Sequence, residues 1–154
     1  MTVHAVTDEN LFVYLNLIQC YEAEFSRITH KKPNKEGLFE LDTHLGETVS
    51  GWLLMIGETP AALAAITHTA NRCHEVCEFY VVPSFRHQAV GIEFAHQIWR
   101  IFPGEWVIKQ IEGAEYASKF WRKAITAYHQ TPYREDRYND PYWGVVTRQR
   151  FNIL

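Results

Sequence analysis

The sequence has few cysteines and no long uninterrupted apolar run. Its three cysteines, Cys20, Cys73 and Cys77, are an odd number in a chain of 154 residues. This excludes a small disulfide-stapled domain and favours free thiols in a reducing compartment. No run approaches the roughly 18 apolar residues of a membrane-spanning helix, and no basic segment followed by an apolar stretch opens the chain. We therefore expect a cytoplasmic location and no membrane partner.

Internal repeats, low-complexity tracts and basic patches are also missing. A composition of 47% hydrophobic and 21% charged residues is ordinary for a globular protein and predicts a single domain over residues 1–154. The net charge of −3 is uneven, since residues 1–77 carry 5 Lys/Arg and 10 Asp/Glu, whereas residues 78–154 carry 10 and 8. An acidic first half suits a cationic amine, and the absence of a basic patch disfavours a nucleic-acid partner.

Hydrophobic periodicity predicts alternating helices and strands. A first helix is expected over about residues 8–28, with Thr7 as its cap, because apolar residues recur at helical spacing; these are Leu11, Tyr14, Leu15, Ile18 and Phe25. The polar stretch 30–46 predicts a loop or a short second helix. The Ala-rich run 61–65 favours a helix by propensity, but the strand signals around it favour β structure.

The remaining segments complete the predicted order. Strands are expected over 49–57, 60–70, 75–82 and 105–111, with two more within 132–154, and helices over 91–102 and 114–128. Because a helix separates the strands at 78–82 and 105–111, these two strands are expected to be parallel and joined by a right-handed crossover.

One segment points to a ligand. It follows the apolar run 78–83, opens a helix and reads Arg86-His87-Gln88-Ala89-Val90-Gly91-Ile92. Small residues at a helix N-terminus let a phosphate approach unpaired backbone N–H groups and the positive end of the helix dipole. The segment resembles the pyrophosphate loop of the Gcn5-related N-acetyltransferases, Arg/Gln-x-x-Gly-x-Gly/Ala. Two further runs resemble a bacterial subgroup of that family: Phe102-Pro103-Gly104-Glu105-Trp106 and Ala117-Ser118-Lys119-Phe120-Trp121-Arg122-Lys123.

The resemblance implies an α+β fold of three αβα layers, with a mixed, mostly antiparallel central sheet of about six to seven strands and a parallel central pair. It also implies a transferase that passes an acetyl group from acetyl-CoA directly to a primary amine. The alternative is a CoA-binding or sensing module that turns over weakly. The expected partners are coenzyme A and an amine-bearing acceptor, without a metal. A homodimer formed through the C-terminal strands, with Trp143 and Phe151 exposed, is a hypothesis from composition alone.

The same resemblance assigns the cofactor contacts. They are Tyr80, Val81, Val82, Arg86, His87, Gln88, Ala89, Val90, Gly91, Ile92, Ala117, Phe120 and Trp121. If the parallel strands part at their C-terminal ends, the pantetheine arm enters the gap, and Pro83 marks the point where strand pairing ends. The backbone N–H groups around Val81 and Val82 are then expected to face the thioester carbonyl and stabilise its oxyanion.

The reaction also needs a base, because an alkyl ammonium has a pKa of about 10 and only the neutral amine is nucleophilic. Glu78 is the first candidate, since the resemblance places an acidic group on this strand. The alternative for Glu78 is an ion-paired or surface carboxylate. Glu22 and Glu24 are weaker candidates, because charges on an amphipathic helix usually face solvent.

The general acid departs from the family pattern. Many relatives have Tyr where this chain has Trp121, and Trp cannot supply an acidic proton. Tyr116 and Tyr128 are close in sequence and are the candidate substitutes, with packing as the competing role for both.

Four potential metal ligands lie close together in the sequence, and a zinc site is one interpretation of them. They are His68, Cys73, His74 and Cys77. These are zinc-type ligands, but no paired CxxC occurs, and strand alternation puts both cysteines on one face. We therefore expect no metal, although a thiol or metal switch is a third hypothesis. His68 is expected to be a half-buried histidine, with substrate contact or base function as the alternative.

Overall fold

The computed structural model describes residues 1–154. Its strands are β1 (Thr2–Ala5), β2 (Val49–Ile56), β3 (Thr59–Thr69), β4 (Cys73–Val81), β5 (Gly104–Ile111), β6 (Tyr133–Asp140) and β7 (Gly144–Ile153). The helices are α1 (Leu11–Thr29), α2 (Val90–Ile101) and α3 (Glu115–Ala127), with a short 3-10 helix at Pro83–Phe85. The strands form a seven-stranded sheet in the order β1-β2-β3-β4-β5-β7-β6, in which β4 and β5 are parallel. This architecture confirms the predicted fold class.

The first of two compact units comprises Met1–Ile66 and Cys77–Gly91. Its core is built from buried residues of α1, β2, β3 and β4, namely Tyr14, Ile18, Leu53, Leu63 and Tyr80. The segment 30–48, which connects α1 to β2, contains no helix or strand. Its Leu41 and Leu45 pack against this core, so the polar stretch is a loop that is anchored to the interior.

The second compact unit comprises Thr67–Val76 and Ile92–Leu154. Its interior is aromatic and centres on Trp99 of α2, whose ring lies 5.1 Å from Phe151, 5.6 Å from Tyr128 and 6.4 Å from Trp121. Residues 73–76 of β4 pair in parallel with residues 105–108 of β5. Both β3 and β4 contribute residues to each unit, and the single domain over 1–154 stays a prediction.

The observed element bounds agree with the predicted ones to within a few residues, except at the N-terminus. Asn10 occupies the N-cap position of α1, and its Oδ1 accepts a hydrogen bond of 2.7 Å from the Thr7 N–H. Thr7 is therefore not the cap, and the helix begins later than predicted. Leu15, expected on the buried face, is 41% exposed, and the four-residue strand β1 was not predicted.

Two further expectations can be compared with the structure. Phe151 is buried on β7, so the proposal that it is an exposed aromatic is wrong, whereas Trp143 is exposed. β4 ends at Val81 and the 3-10 helix begins at Pro83, which confirms that strand pairing stops there. No helix of the chain combines the length and the apolar composition needed to cross a membrane.

Candidate functional site

Glu78 lies in the interior of the first unit. Alternate residues of β4 are buried, and Glu78 falls on the buried face with only 5% of its surface exposed. The hydroxyl of Thr43, in the loop after α1, donates a hydrogen bond of 2.7 Å to Glu78 Oε1. The hydroxyl of Tyr21 on α1 donates a second hydrogen bond to the same carboxylate. This carboxylate is therefore held by two neutral donors and not by a cation.

This environment changes the acidity of Glu78. Burial raises its pKa to about 7, with a further upward contribution from the charges of Glu22 and Asp42. The hydrogen bonds from Tyr21 and Thr43 lower it and offset part of that effect. Desolvation dominates because the two donors are neutral. A carboxyl group with this pKa both accepts and releases a proton near neutral pH, which is the property that a general base requires.

A cluster of acidic residues surrounds Glu78. Carboxylate oxygens of Glu22, Asp42 and Glu78 lie within 4.8 Å of one another, which is a spacing that could hold a metal ion. The ammonium group of Lys31 lies 2.5 Å from Glu22 Oε2 and 3.0 Å from Asp42 Oδ1. The Lys31 ammonium thus already supplies a cation to two of the three carboxylates. Burial raises the pKa of Glu22 despite this ion pair.

Tyr14 places a second phenol beside the cluster. Its hydroxyl is buried and has no hydrogen-bond partner. Burial, followed by the charges of Glu78, Cys77 and Glu22, raises the pKa of Tyr14 above its ordinary value. Tyr14 and Tyr21 lie about two helical turns apart on α1, and both interact with Glu78. Two phenols of α1 that stay protonated therefore lie within electrostatic range of this carboxylate.

The predicted phosphate loop lies in the turn after the 3-10 helix. His87 (φ 69°) and Ala89 (φ 58°) both have left-handed backbone conformations. Such alternation of backbone conformation turns successive N–H groups toward one side and is typical of anion-binding nests. It also explains why the family pattern has Gly where this chain has Ala89, since glycine adopts a positive φ without steric cost.

Arg86 lies at the start of this turn, and its guanidinium is bound by Glu24 and by the backbone of Val81. Its guanidinium forms a bidentate pair with Glu24 of α1, at 3.0 Å and 2.9 Å, and its Nε donates a hydrogen bond of 2.9 Å to the Val81 carbonyl. The same group lies 5.5 Å from the centre of the Tyr80 ring. The positive charge that was expected at the mouth of the loop is thus neutralised by Glu24.

Of the two backbone N–H groups expected to stabilise the oxyanion, that of Val82 already has another partner. The Val82 N–H donates a hydrogen bond of 2.8 Å to the Ala61 carbonyl of β3. A backbone N–H that is engaged in this way is not directed at a thioester. The assignment of the Val82 N–H as an oxyanion donor is therefore wrong, and the assignment of Val81 stays a prediction.

The remaining predicted residues belong to α3 and the second unit. Ala117 and Phe120 are half-buried, and Trp121 is buried with its ring 4.8 Å from that of Phe120. Tyr116 is 53% exposed in the first turn of α3. Tyr128 lies just beyond the end of α3, where its ring packs 5.6 Å from Trp99. Packing therefore accounts for Tyr128, and exposure leaves Tyr116 accessible.

The candidate zinc ligands on β4 lie on opposite faces of the strand. On β4, Cys73 and Cys77 share the half-buried face, whereas His74 lies on the opposite, buried face. His74 Nδ1 lies 2.9 Å from His68 Nδ1, and its Nε2 lies 3.3 Å from the Pro103 carbonyl. Since a carbonyl accepts, His74 donates to it, and His68 donates to His74. Burial, with the charge of His74, lowers the pKa of His68, which fits the predicted half-buried histidine.

Sequence reasoning missed several residues of this site: Tyr21, Lys31, Asp42 and Thr43. For Glu22, a usable signal was present, because Tyr14, Ile18 and Glu22 recur every four residues and all are buried on α1. The rule that charges on an amphipathic helix face solvent gave the wrong side for Glu22. The loop residues had no such signal, since their positions depend on tertiary contacts.

Comparisons with known proteins agree with this architecture. No protein-family model and no curated protein sequence matches the chain. Among solved structures, the chain is similar to spermidine N-acetyltransferase from Vibrio cholerae, with a TM-score of 0.65 and 9% identity over 99% of this chain and 95% of that one. It is similar to the ribosomal-protein-S18-alanine N-acetyltransferase of Escherichia coli, with a TM-score of 0.64 and 12% identity over 99% and 93% of the two chains.

A third similar structure carries the expected cofactor. This Bacillus anthracis protein, assigned as a streptothricin acetyltransferase, was solved in complex with acetyl coenzyme A. The TM-score is 0.55 and the identity 12%, over 71% of this chain and 65% of that one, so this chain spans somewhat less than two thirds of its length. Together these similarities show that the chain has the fold of the Gcn5-related N-acetyltransferases, as the resemblance implied.

Proposed function

We propose that this chain, which has the fold of the Gcn5-related N-acetyltransferases, is an acetyl-CoA-dependent N-acetyltransferase of the bacterial cytoplasm. The observation that carries the proposal is Glu78, a buried carboxyl group whose pKa of about 7 suits a base at neutral pH. The acceptor is a primary amine, and the acidic cluster of Glu22, Asp42 and Glu78 attracts it in its cationic form.

The co-substrate supplies an activated acetyl thioester. Its pyrophosphate is assigned to the turn from Arg86 to Ile92, because the left-handed residues His87 and Ala89 orient backbone N–H groups at the start of α2. Tyr80 and Val81 are assigned to the pantetheine arm. On α3, Ala117, Phe120 and Trp121 retain the role given by the resemblance, which is to exclude water from the thioester.

The chemical step requires proton movement at both ends. Glu78 accepts a proton from the acceptor ammonium, which frees the nitrogen lone pair for attack on the carbonyl carbon. A proton must then reach the leaving thiolate, and exposed Tyr116 is a better candidate donor than the packed Tyr128. Transfer is direct, so no acyl-enzyme intermediate forms, and the proposed reaction uses no metal. A homodimer stays part of the proposal, with edge strand β6 as its contact.

Cofactor binding tests the first half of this proposal. Thermal unfolding is followed with increasing acetyl-CoA for the wild type and for Gly91→Glu, which adds bulk and negative charge at the start of α2. Ligand at 100 times its Kd stabilises a protein by about 2.7 kcal/mol, so a rise of several degrees is expected in the wild type and none in Gly91→Glu. Ser84→Glu adds the same charge on the exposed 3-10 helix and should leave the shift largely intact.

Amine-dependent thiol release tests the second half. The panel contains spermidine, a peptide with N-terminal alanine and small mono- and diamines, chosen from the activities of the similar structures. Release with at least one amine supports the transferase. A thermal shift without release from any amine supports the alternative, a CoA-binding or sensing module, for which the low exposure of Glu78 is the observation in favour.

A further inference from the structure

The two hydroxyls that hold Glu78 are oriented as donors toward it. Thr43 donates to Oε1, and Tyr21 donates to the same carboxylate. A hydroxyl that donates its hydrogen still has two lone pairs on its oxygen. Each of these hydroxyls is therefore able to accept a proton from another molecule while it passes its own to Glu78.

Glu78 needs such an intermediary. Its side chain is almost completely enclosed by the protein, with 5% of the residue exposed. Direct contact with an amine from solvent would require the residues around Glu78 to move. Tyr21 is half-buried, so part of its side chain is exposed, whereas Glu78 is enclosed.

The position of Tyr21 distinguishes it from Thr43. Its ring packs edge-on against Tyr80, with ring centres 6.3 Å apart, and stacks on Phe25 at 5.4 Å. Tyr80 lies two residues beyond Glu78 along β4, about 7 Å toward the predicted cofactor loop. Tyr21 therefore extends from Glu78 toward the end of β4 that precedes the loop, whereas Thr43 belongs to the connection after α1.

We propose that Tyr21 is a catalytic proton relay between the acceptor amine and Glu78. This inference rests on the proposed N-acetyltransferase function. An N–H bond of the acceptor ammonium breaks as its proton moves to the Tyr21 oxygen, and the Tyr21 O–H bond breaks as that proton moves to the Glu78 carboxylate. The amine is left neutral with its lone pair free, Glu78 becomes a neutral carboxylic acid, and Tyr21 is unchanged.

The surroundings favour a concerted transfer. Burial, then the charge of Glu78 and the hydrogen bond to it, raise the pKa of Tyr21 well above its ordinary value. A free phenolate is thus disfavoured, and the proton moves through the hydroxyl while the phenol stays neutral. The charged and titratable groups that face this pair come from α1, the following loop and β4; they are Tyr14, Glu22, Lys31, Asp42 and Cys77.

A pair of variants distinguishes two roles for Tyr21: passing a proton to Glu78, and only donating a hydrogen bond to it. Tyr21→Phe and Thr43→Val each remove one hydroxyl donor, and both should raise the pKa of Glu78, because each hydrogen bond lowers it. The acid limb of the kcat profile should therefore move to higher pH in both variants. Only Tyr21→Phe interrupts the proposed path, and it keeps the ring that packs on Tyr80.

The expected difference lies in the plateau of that profile, measured as thiol release with the best amine of the panel. Tyr21→Phe should lower the plateau kcat at least about tenfold further than Thr43→Val does, because only Tyr21→Phe interrupts the path. In mixtures of H₂O and D₂O, the wild-type rate should curve with deuterium content because two protons move together. Acetyl-CoA affinity should be the same in all three proteins.

Several results would overturn the relay. Equal losses of plateau kcat in the two variants, or an unchanged plateau in Tyr21→Phe, would leave Glu78 as the base without Tyr21. If Tyr21→Phe fails to fold, 3-fluorotyrosine at position 21 keeps the ring and hydroxyl but lowers the phenol pKa, and an unchanged plateau there contradicts the relay. Absence of thiol release by the folded wild type with every amine overturns the proposed function and the relay together.

Discussion

The hydroxyl of Thr43 lies 2.7 Å from Glu78 Oε1 and joins the loop after α1 to a buried carboxylate on β4. These residues are 35 positions apart in the chain. The bond links a loop without helix or strand to the group that the proposed reaction depends on. The contact of Thr43 and the acidity of Glu78 are therefore coupled, because loss of the bond raises the pKa of the carboxyl.

Glu78→Gln should make the protein more stable at high pH. The pKa of Glu78 is raised from 4.5 to about 7, so between these values the folded protein keeps a proton that the unfolded chain has lost. Wild-type stability therefore falls as the pH rises through this window. Above pH 7, Glu78→Gln should gain up to about 3 kcal/mol, and near pH 4 the gain should vanish. Urea unfolding at both pH values measures this, and a constant difference would contradict the raised pKa.

Lys31→Met should destabilise the first unit. The variant leaves Glu22, whose side chain is 2% exposed, without its ion pair at 2.5 Å. Breaking such a pair should cost about 2 kcal/mol here, because Lys31 itself is partly exposed. Adding Glu22→Gln in the same chain removes the unpaired charge and should recover part of the loss. Chemical unfolding of the two variants and the wild type measures these differences. Equal stabilities of Lys31→Met and the wild type would contradict a stabilising role for the Lys31–Glu22 pair.

Glu24→Gln should tighten acetyl-CoA binding. Glu24 neutralises Arg86 through a bidentate pair at 3.0 Å and 2.9 Å. Removing the carboxylate charge leaves the guanidinium available to a pyrophosphate. Binding then no longer has to break a partly exposed ion pair, and the free energy of such a pair corresponds to about a threefold decrease in Kd. Titration calorimetry in phosphate-free buffer measures the change. Weaker binding would show instead that the pair positions the loop.

Gly104→Ala should destabilise the second unit. Gly104 has φ 135°, and a Cβ there would lie 2.2 Å from the Arg72 carbonyl oxygen. Both the strain and the clash oppose alanine, and a loss of about 3 kcal/mol is expected. Gly144→Ala is the matched control, since its φ is also positive at 77° but no atom lies within 4 Å of the Cβ. If thermal unfolding shows equal losses, the clash contributes nothing.

Much of the fold follows from local sequence patterns. The Ala-rich run 61–65 is fully buried in β3, as the strand signals around it indicated against its helix propensity. The parallel pairing of β4 and β5 followed from the helix between them. Short β1 was missed because four residues with little burial carry no periodicity that distinguishes a strand from a loop.

The site was less predictable, because its chemistry comes from residues far apart in sequence. Glu78 was proposed as the base from its place on β4, but its pKa shift depends on Tyr21, Thr43 and Asp42, which long-range packing brings to it. The role of Arg86 at the loop stays a prediction, and its pairing with Glu24 depends on where α1 lies. Ion pairs between distant segments leave no periodic signal in a single sequence.

The most direct test of the account is the pH dependence of amine-dependent thiol release from acetyl-CoA by the wild type and Glu78→Gln. With Glu78 as the base, the wild-type kcat should rise with pH and level off above an apparent pKa of about 7. Glu78→Gln should bind acetyl-CoA normally, lose activity by about 100-fold or more on the plateau and lack that transition. A variant that retains the wild-type plateau and transition would contradict the assignment of Glu78.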